Sequence, residues 1–246
     1  MKKILFAGVA ASCLLVATSA QAQVSFGPRV GLNASTLSYD FDNGPAPSST
    51  YRFGAQAGFS VNAQFGKVSV QPSLLFAMKG NDNKLSDTEI FSAGGQTVTT
   101  TYERNQSLSL SYIELPVNLV YSTNGAEGGF QVFAGPYVAI GINGKAKSDY
   151  KETSTVGGIT QSESGSDNVD IKFASKESKT SKAYLCQFDA GFNMGVGYKI
   201  GGIQAQLGYG LGLGNLIPND ADDQKPTDKV HNRGFQLSLA YFFQSH

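Results

Sequence analysis

The sequence predicts an all-β fold: an eight-stranded antiparallel up-and-down transmembrane β-barrel with long extracellular loops. Three observations predict it. First, Tyr51–Phe65 alternates without exception. Tyr51, Phe53, Ala55, Ala57, Phe59, Val61, Ala63 and Phe65 fall at one parity, and Arg52, Gly54, Gln56, Gly58, Ser60, Asn62 and Gln64 at the other. Strand side chains alternate between faces, so one face is apolar and the other polar. The run is about 15 residues long, beyond the five or six usual in soluble sheets, whereas a tilted strand crosses a bilayer in about 9–11. A soluble core would have to bury Arg52 and three amides, whereas a membrane barrel with a polar interior accepts them. Second, the same alternation recurs along the chain. Third, the connections between the runs are alternately short and long.

The chain opens with Lys2 and Lys3, an apolar run from Ile4 to about Val16, and the small residues Ala20-Gln21-Ala22. This reads as a cleaved secretory signal peptide over residues 1–22, leaving 23–246 as the barrel domain. Cys13 sits inside the apolar run with Leu14, Leu15 and Val16 still to come, which argues against lipidation at that thiol.

The first strand runs from about Val24 to Leu37, with Phe26, Val30 and Leu32 opposed to Arg29, Gly31 and Asn33. The second is Tyr51–Phe65, and Gly66-Lys67 makes a tight turn into the third, Val68 to about Lys79. Pro72 lies within that strand, so a bulge or broken ladder bond is expected there. The fourth covers about Leu108 to Tyr121. Its parity slips between Leu108, Leu110, Tyr112 and the later series Ile113, Leu115, Val117, Leu119, which predicts a bulge near Tyr112. The fifth is Phe130–Asn143 and the sixth Tyr184–Lys199, where Phe188, Phe192, Met194 and Val196 oppose Asp189, Asn193 and a glycine series. The seventh is Ile203–Leu216, and the eighth, Gly234–Phe243, turns Phe235, Leu237, Leu239, Tyr241 and Phe243 outward. Connections after the second, fourth and sixth strands are short; those after the odd strands are long and polar. Outer-membrane barrels show this alternation, with turns in the periplasm and loops outside, so both termini are expected in the periplasm.

Composition narrows the function classes. The 19 Lys and Arg balance 19 Asp and Glu, so no basic footprint for nucleic acid exists. After Val16 no segment approaches the run of about 18 apolar residues that a membrane helix needs, so a spanning chain must close as a barrel. Cys186 is the single cysteine after the leader, and its parity with Tyr184 and Phe188 places it on the apolar, lipid-facing side.

Of the long loops, about Gly80–Ser107 and Gly144–Lys182 carry glycine pairs at Gly94-Gly95 and Gly157-Gly158. Each reads equally as a hairpin arm above the membrane or as a disordered polar loop, the latter especially over Ser162–Asn168. The loop Ile217–Val230 gathers Asp220, Asp222, Asp223 and Asp228. Their spacing does not match an EF-hand, and Lys225 and Lys229 interrupt them, so a solvated acidic loop is favoured over a calcium site.

At the fourth strand the run Tyr112–Tyr121, YIELPVNLVY, resembles the Y-[LI]-E-[LI]-P signature of the small outer-membrane β-barrel domain of Bacteroidetes, the PorT-like "porin family" group. Phe26–Leu37 and Phe130–Gly144 are similar to that family's first and fifth strands. The resemblance spans essentially the whole mature chain and implies fold and compartment far more than activity.

On this register Arg29, Arg52, Lys79, Glu114, Asp189 and Lys199 point inward. Charges in a low-dielectric interior must pair, so Glu114 and Asp189 are expected opposite arginines, with the glycine face of the sixth and seventh strands giving the arginines room. Eight strands enclose an interior that side chains fill, so these residues read as a structural plug and not as an ion path. No cofactor, metal or catalytic group is expected. Only His231 and His246 could serve as a histidine base, and the His231 neighbourhood offers no hydroxyl at strand spacing. The expected function is non-enzymatic, with the outer loops binding a protein, a surface polymer or host material, and with outer-membrane lipid or lipopolysaccharide around the wall. A small channel and, by resemblance alone, a PorT-like part in assembling a secretion machine are the alternatives.

Overall fold

The computed structural model describes residues 23–41, 49–93, 96–177 and 183–244. The predicted signal peptide, 1–22, lies outside the described residues. Among the described residues eleven strands form in order: β1 (Gln23–Asp40), β2 (Thr50–Phe65), β3 (Val68–Ala93), β4 (Gln96–Ser122), β5 (Gly128–Val156), β6 (Ile159–Phe173), β7 (Ala183–Leu185), β8 (Phe188–Ile200), β9 (Ile203–Gly212), β10 (Lys229–Tyr241) and β11 (Phe243–Gln244). Eight of them close a ring, β1-β2-β3-β4-β5-β8-β9-β10 and back to β1, with every neighbour antiparallel. This is the expected eight-stranded barrel. Its wall obeys the alternation read from the sequence: Leu32, Phe53 and Phe59 project outward, 61%, 81% and 68% exposed, while Asn33, Ser60 and Asn62 are buried inside.

The short connections are those expected. Gly66 (φ 60°) and Gly201 (φ 55°) take left-handed conformations that a β-carbon would strain, which is why each tight turn carries a glycine. A single 3-10 turn, Gly125–Glu127, joins β4 to β5.

The long connections between β3 and β4 and between β5 and β6 are ordered hairpins. β3 runs to Ala93, well past the expected end at Lys79, and pairs with β4 from Val68–Tyr121 to Ala93–Gln96. β4 and β5 continue the pairing outward to Val98–Val156, and β6 adds a fourth strand from Gly144–Ile171 to Val156–Ile159. Ser162–Asn168 is therefore strand, not disordered loop. Residues 178–182 lie outside the described residues.

Pro72 causes no bulge. The β2–β3 ladder skips from Ser60–Ser73 to Ala63–Val70 in unchanged register, so the missing amide costs local ladder bonds only. A bulge does lie beside Tyr112 as expected, but it is not a parity slip of β4 itself. Leu110, Tyr112 and Glu114 all face inward, and β4 keeps one register with β3 throughout. The irregularity is in β5, where Ser111 pairs with Asn143 and Tyr112 with Gly141, leaving Ile142 as the extra residue. The sequence misled because two apolar residues in a polar lumen look like a register change.

Three further boundaries differ. The sixth predicted strand splits at Cys186-Gln187 into β7, parallel to β6, and β8 of the ring. Cys186 is half-buried in that break, its amide donating to the Leu216 carbonyl (2.8 Å), and it is not part of the lipid-facing wall. β9 stops at Gly212, and Leu216 turns into the barrel mouth, fully buried. β10 begins at Lys229, includes His231, and breaks at Phe242, which is buried inside while Phe243 resumes the outer wall.

Candidate functional site

Two regions have functional weight: the lumen, which decides whether the barrel conducts, and the sheet that rises from its rim. In the lumen, side chains stack in layers. Nearest the short turns, Phe242 is buried and the Lys199 ammonium donates to the Ala126 carbonyl (3.3 Å), drawing the 3-10 turn beneath the wall. Above lies a belt of amides. Gln71 Nε2 donates to Asn62 Oδ1 (2.8 Å), Gln131 Nε2 to Ser122 Oγ (2.8 Å) and Gln204 Nε2 to Gln131 Oε1 (2.6 Å). Side chains turn inward at every second position, and near the short turns many of these are amides, so the belt is a product of alternation.

The glycine face of β8 and β9 receives aromatic rings, not arginines. A β-carbon at Gly191 would lie 2.6 Å from Tyr137 Cε1, and one at Gly208 would lie 2.9 Å from Phe133 Cζ. Phe133 and Tyr137 thus lean along the lumen wall from β5 over the glycines of its ring neighbours β8 and β9.

The charged layer sits at this height. Lys79 Nζ lies 2.5 Å from Glu114 Oε2 and 4.6 Å from the centroid of the Tyr137 ring. Asp189 accepts hydrogen bonds from Tyr137 Oη (3.2 Å) and Asn232 Nδ2 (2.9 Å). Arg29 is buried and donates through Nη2 to Ser238 Oγ (2.8 Å). The expectation that Glu114 and Asp189 lie opposite arginines is therefore corrected: a lysine holds Glu114, and two neutral donors hold Asp189. Lysine wins at Glu114 because Lys79 sits on β3, beside the strand that carries Glu114, with inward parity; Arg29 stands on β1, three strands away. Arg52 is half-exposed at the rim, where it pairs with Asp82 (2.9 Å) and also donates to Ser107 Oγ (3.3 Å). The space beside Lys79 and Tyr137 is about 10 Å³, room for one water.

Above the charges the lumen turns apolar. Leu110, Tyr112, Tyr137 and Ala139 pack with Leu108, Ile171, Phe173 and Leu185, and a second group of Leu37, Leu216 and Val230 adjoins it through Leu108 and Leu185. This cluster plugs the mouth on the long-loop side. No sequence signal marks it as one body, because its members come from seven separate segments; the one hint was the apolar pair Leu110 and Tyr112 at inward parity.

His231 engages the Gly214 carbonyl through Nδ1 (2.9 Å). Its cross-strand partner is Ser38, a hydroxyl contributed by β1 that spacing along β10 alone does not reveal. In the acidic loop, Asp220 Oδ1 accepts from the backbone amides of Asp222 (2.9 Å) and Gln224 (2.8 Å), the geometry of a side-chain-closed turn.

The second region is the four-stranded sheet of β3, β4, β5 and β6. From the row Asn81, Leu108, Ala146, Val169 to the row Phe91, Val98, Val156, Ile159 it rises about ten residues, roughly 33 Å beyond the rim at 3.3 Å per residue. Its middle carries charges on both faces, including the pair Lys147–Asp149 (2.8 Å). Lys147 and Ser166 hydrogen-bond the Asp149 carboxyl and hold it below the usual carboxylate range.

A polar, plugged lumen, an apolar outer belt and an ordered sheet above one rim define an integral outer-membrane β-barrel protein. The chain belongs to the outer membrane protein beta-barrel domain family, whose model matches residues 19–218. Among solved structures it is similar to Ail, the attachment invasion locus protein of Yersinia pestis, at 12% identity, covering 90% of this chain and 99% of that one with a TM-score of 0.38. It is also similar to Neisserial surface protein A, at 11% identity, 89% and 99% coverage and a TM-score of 0.34. The TodX monoaromatic hydrocarbon channel follows at 8% identity, 92% and 91% coverage and a TM-score of 0.27. No curated protein sequence matches the chain.

Proposed function

We propose that this outer-membrane barrel is non-enzymatic and acts through the four-stranded sheet and loops outside the membrane, binding an extracellular protein or polymer. The observation that carries this reading is where the ordered chain is spent. Four strands continue some 33 Å beyond the ring, at about 3.3 Å per residue, while the lumen below them is filled by the apolar plug, the Lys79–Glu114 pair and the amide belt. By the usual orientation of such barrels the short turns face the periplasm and the sheet faces outward, with lipopolysaccharide against the rim. The Tyr112-Ile113-Glu114-Leu115-Pro116 run supports assignment to the PorT-like group of Bacteroidetes within the family.

The test removes the sheet and keeps the ring. Replacing Asn83–Gln106 and Ser148–Asp167 by short glycine turns should leave a barrel that still shifts on unheated gels. Cells displaying it should lose adhesion to immobilised extracellular proteins and polysaccharides that the full chain binds. Unchanged adhesion by the shortened barrel would sink the reading.

A further inference from the structure

The far end of the outer sheet differs from its middle. Phe91, Val98, Val156 and Ile159 are successive cross-strand partners, so four apolar side chains form one row across all four strands. Phe91 and Ile159 are 68% and 77% exposed, and Ile90, on the opposite face, is 69% exposed. The next rows toward the membrane on that opposite face are hydroxyls. Thr99, Thr155 and Thr160 align with Ile90, and Thr88, Thr101, Thr153 and Ser162 follow. Ile90–Ser92, Gln96–Thr101 and Thr153–Ser162 contain no charged residue; Glu89 is the one charge aligned with them, in the row Thr100, Ser154 and Gln161, and Asp87, Glu103, Lys151, Glu152 and Glu163 lie nearer the membrane.

We infer that this uncharged crown docks on lipid: Ile90, Phe91 and Ile159 enter the interfacial zone of a zwitterionic bilayer facing the one that holds the barrel. Three features select lipid over protein. The described crown is one row of four apolar side chains with Ile90 behind it, and so few side chains fall well short of the roughly 800 Å² per partner of a stable protein interface. Its two outermost rows offer no charge for a partner to complement, while the hydroxyls of Thr99, Thr155 and Thr160, and the Glu89 carboxylate behind them, stand at the depth of headgroups. Its make-up also repeats the outer belt, where exposed aliphatic and aromatic residues stand without charges against the acyl chains. A tip that enters lipid needs buried apolar area and no shaped counterpart. The bilayer is a second one because the crown stands about ten residues, roughly 33 Å, above the rim of its own. The inference rests on the outward-acting sheet proposed above.

Flotation of nanodisc-embedded protein with phosphatidylcholine vesicles tests it. The full chain should co-float, and Phe91→Ser/Ile159→Ser should reduce the bound fraction about tenfold or more, since each side chain loses its apolar transfer energy. Tyr102→Ser, on the same face in the charged middle of the sheet, should float like the parent. Gel mobility without heating checks that each ring is folded. Failure of the parent to co-float, or equal flotation of the double variant, overturns the inference. So does clustering of the discs with one another through these residues, which would make a second copy the occupant. Any of these outcomes leaves the adhesion test of the shortened barrel standing on its own.

Discussion

Lys79 and Glu114 meet inside the barrel, ammonium nitrogen 2.5 Å from carboxylate oxygen, with both side chains almost wholly shielded from solvent. β3 and β4 are neighbours and both residues have inward parity, but their cross-strand partners are Leu110 and Leu75, so the pairing is made by the two side chains reaching along the lumen to meet. Its energetic meaning is asymmetric. A buried pair adds little net stability over an apolar replacement, yet removing one partner strands the other.

Lys79→Ala should therefore cost about 3–5 kcal/mol of unfolding free energy, and the double change Lys79→Met/Glu114→Leu should recover most of it. Denaturant titration in lipid vesicles measures both. A double variant as weak as the single one would mean that the ion pair itself stabilises the barrel.

The seating of Phe133 on glycine makes a second prediction. Gly208→Ala puts a β-carbon 2.9 Å from Phe133 Cζ and should destabilise by about 1–3 kcal/mol through overpacking. Phe133→Leu in the same chain should relieve most of that loss. No relief would show that the ring does not press on β9.

On the outer wall, Leu207 pairs across strands with Val196 and Leu237 in the apolar belt. Leu207→Arg should cost about 2–4 kcal/mol in a folding titration, as a charge facing lipid near mid-membrane does. An unchanged folded fraction would mean that Leu207 does not face lipid.

Much of this architecture is legible in the sequence, and the reason is period two. Wherever an apolar belt faces lipid and polar side chains face the lumen, alternation marks the strand, as in Tyr51–Phe65 and Phe235–Tyr241. Legibility stops where the environment on the two faces ceases to differ. Above the rim water bathes both sides of β3 to β6, so Lys84–Ser92 shows no alternation although it is strand. Inside the mouth, the lumen turns apolar at Leu110 and Tyr112, and alternation there mimics a register slip. The partners in the lumen were beyond parity for a different reason: inward direction can be read from sequence, but which inward group meets which depends on strand order and stagger around the ring.

The outer sheet supplies a pH prediction. Asp149 is held below the ordinary carboxylate range by hydrogen bonds from Lys147 and Ser166. A depressed carboxylate stabilises the folded hairpin above its unfolded pKa, and that contribution disappears as pH falls through the lower, folded value. Order in β5 and β6 should hold at neutral pH and loosen only in acid. Carboxyl NMR should place Asp149 below model aspartate, and Lys147→Ala should move it upward. Identical titration curves would remove Lys147 as the cause.

The most direct test of a barrel that works outside its lumen is single-channel conductance of the refolded chain, residues 23–246, in a planar bilayer. The apolar plug at the mouth and the filled charged layer predict silence from protein that is demonstrably folded. Stable, reproducible openings would contradict the account and make the lumen, not the outer sheet, the working part.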